Sequence, residues 1–176
     1  VLRAFWGPHV RITWIICHFN PPGFQRGVWH ADQPFNQTPK LRVFAPYPDA
    51  VIQLSSVWML SAFTPDAGAT WIAPGSHRTN NNPTGDNGVD GTKPYPGEKQ
   101  AIGNAGDMLL YDSRLWHAGG TNHCDKPRFG LAVRYSPWWF NMDYLLPLDS
   151  PEKQRLAKEV GVRPEELGAV PTMPKE

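Results

Sequence analysis

Cysteine is scarce in this chain: Cys17 and Cys124 are the only two among 176 residues. Two thiols make no disulfide framework, so a reducing compartment, the cytoplasm, is the expectation. Charge of one sign is lacking too. Lys and Arg number 17 against 16 Asp and Glu, a formal net charge of +1. With no basic excess to neutralise a row of phosphates, the charge balance argues against a general nucleic-acid binder. No apolar run approaches the roughly 18 residues that span a bilayer, so no membrane partner is expected. What is plentiful is turn chemistry and aromatic area. The 16 glycines and 19 prolines are roughly a fifth of the chain, against a usual sum near 12%. Eight Trp, eight Phe and five Tyr supply a core. Long helices are therefore unexpected, and many short strands joined by turns are expected.

Residues 1–20 alternate β-forming side chains on both parities, with Val10, Ile12, Trp14, Ile16 and His18 on one and Thr13, Ile15, Cys17 and Phe19 on the other. This reads as a strand buried on both faces, with Cys17 buried and inert. The chain begins at Val1 inside that pattern, and the expectation is that an N-terminal portion precedes it. Further strands are expected over about 25–32, 51–63, 70–73, 107–111, 116–121 and 129–135. Asn-, Gly- and Pro-rich residues 79–97 read as a mobile loop or lid. Ser150-Pro151-Glu152 is an N-cap, a proline at the first helical position and an early acid, so a short C-terminal helix begins there. The expected organisation is a β-rich domain over 1–149 and a helical appendage over 150–176. Seven or eight short strands fit a β-sandwich or a small barrel.

His30-Ala31-Asp32 places an imidazole and a carboxylate on one face if it lies on a strand, because side-chain direction has period two. His117 follows an apolar strand and precedes Gly119-Gly120, where close backbone approach is possible. Two His and one carboxylate form the facial ligand set of non-haem Fe(II) oxygenases, which leaves three positions open. Two of these suit a bidentate 2-oxo acid and the third suits O2. Arg128, eleven residues after His117, is suited to grip the far carboxylate of 2-oxoglutarate, with Arg134 as its rival.

The order HAD at 30–32, GATWIAPGSHR at 68–78, WHAGGTN at 116–122 and then Arg128 resembles the phytanoyl-CoA dioxygenase family of Fe(II)/2-oxoglutarate oxygenases. The resemblance covers roughly residues 10–136. It implies an all-β double-stranded β-helix, a cupin-like jelly roll. It also implies that His30, Asp32 and His117 bind Fe(II), that Arg128 holds the co-substrate 2-oxoglutarate, and that Trp58 lies near the co-substrate. Ile16 falls where the family places a wall of the co-substrate pocket. Gly119 stands where relatives often carry a small hydroxyl residue, so only its backbone could take part. Gly130 lacks a hydroxyl that some members have two positions after the Arg, leaving one hydrogen bond missing or replaced. The carboxylate at Asp32 points to hydroxylation, since halogenating relatives have Ala or Gly there.

The expected function is an Fe(II)- and 2-oxoglutarate-dependent dioxygenase that hydroxylates an unactivated C–H of a small organic or acyl substrate and releases succinate and CO2. Trp29, Phe35, Trp138 and the 79–97 loop are candidates to close over the site. His77 reads as a turn residue. His18 faces either the pocket or the core, and Trp138-Trp139-Phe140 either wall a substrate mouth or pack the C-terminal helix. Arg26, Lys40, Arg42 and Arg78 read as solvated surface, with an anionic substrate as the alternative. Two other classes stay open: a cupin-like metal-dependent enzyme that does not use 2-oxoglutarate, and a non-enzymatic β-sandwich binding module. Substrate identity and oligomeric state are not legible.

Overall fold

A computed structural model describes residues 1–33, 49–79, 83, 89–140 and 151–161. The described elements are, in order, α1 (Leu2–Trp6), β1 (Val10–Asn20), β2 (Leu54–Met59), β3 (Trp71–Ile72), β4 (Lys99–Gln100), β5 (Met108–Asp112), β6 (His117–Ala118), β7 (Arg128–Pro137) and α2 (Pro151–Val160). The strands make a four-stranded sheet, ordered β1-β7-β2-β5, and a three-stranded sheet, ordered β4-β3-β6. The pairs β2–β5, β3–β4 and β3–β6 are antiparallel. Among the described residues, no helix is long and apolar enough to cross a membrane.

The chain divides into two compact units, Trp14–Arg134 and Val1–Thr13 with Tyr135–Glu176. In the first, Val57, Met59 and Tyr111 of the larger sheet pack with Phe63, Ala69 and Leu115, and with Ile72 of the smaller sheet. A second cluster joins Trp29, Ala31, Ala73, Trp116 and Ala118. Burial of such side chains supplies most of the driving force, about 1.5–3 kcal/mol each for the larger ones. In the second unit, the Thr13 and Ser136 hydroxyls are hydrogen-bonded at 3.1 Å, and Ala157 of α2 is buried.

Several expectations are corrected. The first strand starts only at Val10, because α1 ends at Gly7, with φ 70°, and Pro8 follows in a 3-10 turn. Nor is it buried on both faces. As an edge strand, β1 sends Ile15 and Phe19 outward, each more than half exposed, and Cys17 is exposed with them. Among the described residues, the strand expected at 25–32 is not formed; a single bridge joins His30 to His117. Residues 80–82 and 84–88 of the expected lid, and Ser150 of the expected cap, lie outside the described residues. From the lid's second half, Val89 and Tyr95 pack against the core. Trp29 is fully buried, donates Nε1–H to the Lys93 carbonyl at 2.9 Å and meets Tyr95 edge-on, so it belongs to the core and not to a closing flap. Glu98 takes both guanidinium nitrogens of Arg26, at 2.8 and 2.6 Å, which removes Arg26 from the solvated surface.

The glycine pair after His117 has a physical reason. A Cβ on Gly120 would meet the Ala69 carbonyl oxygen at 2.5 Å and Gly68 Cα at 3.0 Å. Two backbone segments touch there, and only glycine fits. This contact places the segment after β6 against the turn before β3.

Candidate functional site

His30 and His117 oppose each other as a hydrogen-bonded antiparallel pair: His30 N–H to the His117 carbonyl at 3.0 Å, and His117 N–H to the His30 carbonyl at 2.9 Å. The pairing brings the two imidazole centroids to 4.2 Å. Asp32 follows two residues on and is pinned by its own N–H to the Ser113 carbonyl at 2.8 Å. One potential ligand atom from each of His30, Asp32 and His117 lies within 4.8 Å of the others.

The hydrogen bonds around these side chains suit a metal. Nδ1 of His30 meets the Val28 carbonyl at 3.1 Å, and Nδ1 of His117 meets the Leu115 carbonyl at 2.9 Å. A carbonyl can only accept, so each Nδ1 carries a proton, and in a neutral ring this leaves the lone pair on Nε2. Such outer hydrogen bonds fix the ring and raise its basicity as a ligand. Oδ2 of Asp32 accepts from Ser55 Oγ at 2.7 Å and from the Tyr111 hydroxyl at 3.1 Å. Ser55 is in turn bonded to Ser113, also at 2.7 Å. Oδ1 lies 3.8 Å from Nε2 of His117 and accepts from Nη2 of Arg134. Two imidazole nitrogens and one carboxylate oxygen fit a divalent transition metal with open positions.

Burial lowers the His30 imidazole to about 4, with the His117 charge acting the same way. Burial alone would raise the Asp32 carboxyl. The His117, Arg134 and His30 charges and the Ser55 hydroxyl outweigh it and hold Asp32 at about 2. At neutral pH the set is therefore His30 neutral and Asp32 ionised, ready as ligands. The sign of the His30 shift has a consequence for the metal-free protein. The unfolded chain takes up this proton below about 6.5 and the folded chain only near 4, so stability falls as pH drops through that window. The expected loss is on the order of 3 kcal/mol. Urea midpoints of chelator-treated protein should fall between pH 7 and 4 more steeply than those of His30→Gln. Parallel curves would contradict the assignment.

A cavity of about 400 Å³ holds all three residues. Its wall also carries Arg128, Asn20, His18, Trp14, Gly119 and Arg134. Arg128 is 4% exposed, and its guanidinium carbon sits 4.0 Å from the Phe63 ring centroid. Burial lowers it to about 10, so it stays a cation at neutral pH. Among the described residues, its Nε and the Nδ2 of buried Asn20 are donors without a hydrogen-bond partner. Two unanswered donors in one cavity are costly unless a ligand accepts from them. Gly130 explains the missing hydroxyl: a Cβ there would meet Phe63 Cζ at 2.9 Å, so that place is filled by the core.

Two candidates do not reach the cavity. On β2, Ser55, Ser56 and Val57 line the cavity, whereas Trp58 is 40% exposed, opposite Met108, and is not part of the cavity wall. Ile16 shares parity with Trp14 and His18 but is 37% exposed and is not part of the cavity wall. Gly119 does line it, and its carbonyl accepts from Gly27 N–H at 3.0 Å. Phe35 lies outside the described residues. Sequence reasoning missed Asn20, Ser55 and Tyr111; the period-two parity of Asn20 with His18 was the one available signal.

A model of the phytanoyl-CoA dioxygenase (PhyH) family matches residues 1–130. The chain belongs to the phytanoyl-CoA dioxygenase family. Among curated relatives, dioxygenase cdmA of Talaromyces verruculosus is 31% identical over 147 residues, covering 80% of this chain and 45% of the relative. Dioxygenase af480 of Aspergillus fumigatus is 32% identical over 136 residues, covering 76% and 40%. An uncharacterised protein of Mycobacterium tuberculosis, Rv1501, is 28% identical, covering 74% and 42%. The chain thus spans less than half the length of these relatives. Among solved structures, the apo form of EctD from S. alaskensis superposes with a TM-score of 0.59 at 23% identity, covering 78% of this chain and 48% of that one. The epimerase SnoN, in complex with Fe3+, alpha ketoglutarate and nogalamycin RO, gives 0.58 at 21%, covering 81% and 57%. These likenesses show the fold, the cupin-like jelly roll of the PhyH family.

Proposed function

We propose that this chain carries the centre of an Fe(II)- and 2-oxoglutarate-dependent dioxygenase that hydroxylates an unactivated C–H bond of a small organic or acyl substrate. The observation that carries the reading is one cavity holding the His30–Asp32–His117 cluster together with a buried cation, Arg128, and an unanswered donor, Asn20. His30 and His117 offer Nε2 and Asp32 offers Oδ1 to iron. Arg128 takes the far carboxylate of 2-oxoglutarate in a charge-assisted grip. Asn20 adds the hydrogen bond that Gly130 cannot supply. Bound iron and 2-oxoglutarate supply dioxygen activation, with release of succinate and CO2. The chain's part is to orient these groups, to keep His30 neutral, and to wall the reaction from water with Trp14, Val57 and Ala132. The cavity's size suits small molecules.

Anaerobic addition of Fe(II) and 2-oxoglutarate to chelator-stripped protein tests this directly. A visible metal-to-ligand charge-transfer band should appear only with both additions and vanish in His30→Ala. Metal binding without a band would favour a cupin-like metal enzyme that does not use 2-oxoglutarate. No metal binding would favour a binding module.

A further inference from the structure

Asp32 offers two oxygens, and the structure uses them differently. Oδ2 is held by the Ser55 and Tyr111 hydroxyls. Oδ1 turns toward His117, so it is the oxygen placed to join a metal on the two imidazoles. That same oxygen accepts from Nη2 of Arg134, and both side chains are buried. Arg134 is itself held in place: its guanidinium carbon lies 3.6 Å from the Trp14 ring centroid.

We propose that Arg134 is a resident cation on the metal-facing oxygen of Asp32 that competes with the divalent cation for it. This rests on the reading of His30, Asp32 and His117 as metal ligands. Competition rather than preorganisation decides the sign, because the two hydroxyls on Oδ2 already fix the carboxylate's orientation. What Arg134 adds is mainly charge. A guanidinium and a divalent cation on one oxygen repel strongly in a buried site. Removing the guanidinium should therefore tighten metal binding while it weakens the metal-free fold. A residue with a merely structural role would weaken both when replaced.

The test is Mn(II) binding to chelator-treated wild type, Arg134→Met and Arg134→Lys, read by calorimetry beside the metal-free Tm. Met keeps an unbranched side chain against Trp14 without the charge. Arg134→Met should bind Mn(II) at least about ten-fold more tightly, with a lowered metal-free Tm, and Arg134→Lys should stay near wild-type affinity. Equal or weaker Mn(II) binding by folded Arg134→Met would overturn the proposal. Should Arg134→Met not fold, the side-chain 15N resonance of Arg134 in wild type, followed on Zn(II) addition, decides instead. A resonance that shifts supports displacement, and one unmoved at saturation overturns it. Wild type that binds neither Mn(II) nor Zn(II) would remove the metal-site reading itself, and this proposal with it.

Discussion

Asp32→Ala is expected to abolish divalent-metal binding and to lower the Tm of the metal-free protein by roughly 6–20 °C. The carboxylate is buried and answers three donors at once: Arg134 on Oδ1, and Ser55 and Tyr111 on Oδ2. Deleting it leaves a buried guanidinium without that partner. Breaking a buried ion pair in this way costs about 3–5 kcal/mol, and each kcal/mol shifts Tm by about 2–4 °C in a chain of this size. Asp32→Asn separates the two roles. The amide oxygen can still accept from Arg134, and the amide nitrogen can donate to the Ser55 and Tyr111 oxygens. Its Tm should therefore fall much less, while the lost negative charge still removes most metal affinity. Calorimetric melting of both variants, beside Mn(II) titration, checks the pair. An Asp32→Ala protein as stable as wild type would show that the network around this carboxylate contributes nothing to the fold.

Much of this centre is visible in the one-dimensional pattern because its parts are local. His30 and Asp32 share a face through a period of two, and the turn chemistry around Pro74-Gly75 and Gly119-Gly120 marks where strands end. The β-run at 51–63 and the last strand after Arg128 are found close to where alternation puts them. What escapes is what depends on neighbours far along the chain. Alternation cannot say whether a strand is central or at an edge, and β1 is an edge strand, so Ile15, Cys17 and Phe19 are exposed where two-faced burial was expected. On β2, alternation does not separate Trp58 from its neighbours: Leu54 and Ser56 share its parity and are buried, while Trp58 is 40% exposed. Trp29 adjoins His30 yet faces Tyr95 and Lys93, some 65 residues away. Ser55 and Tyr111 sit in ordinary strand sequence, and only the β2–β5 register, which sets them opposite each other, brings both to Asp32.

Arg128→Ala should act in the opposite sense to Asp32→Ala, with a large loss of 2-oxoglutarate binding and little or no loss of stability. Truncating one partner of a buried, hydrogen-bonded charge pair costs about 2–5 kcal/mol, a rise of roughly 30-fold to several thousand-fold in the 2-oxoglutarate KM. Without ligand the same guanidinium is a burden, since its Nε has no hydrogen-bond partner among the described residues and burial already lowers its proton affinity. Its compensation on this side is the stacking on Phe63, about 0.5–2 kcal/mol. These opposing terms nearly cancel, so the Tm of metal-free Arg128→Ala should stay within a few degrees of wild type. Asn20→Ala should raise the same KM less, by about 10- to 100-fold, as for one hydrogen bond to a charged group. A 2-oxoglutarate dependence unchanged in Arg128→Ala would remove the co-substrate assignment, and Arg134 would become the cation to test next. The contrast between the two variants expresses how the cavity is built. Its metal end is satisfied from within the protein by Asp32, Arg134, Ser55 and Tyr111, whereas at its Arg128 end two buried donors, Arg128 Nε and Asn20 Nδ2, have no acceptor among the described residues.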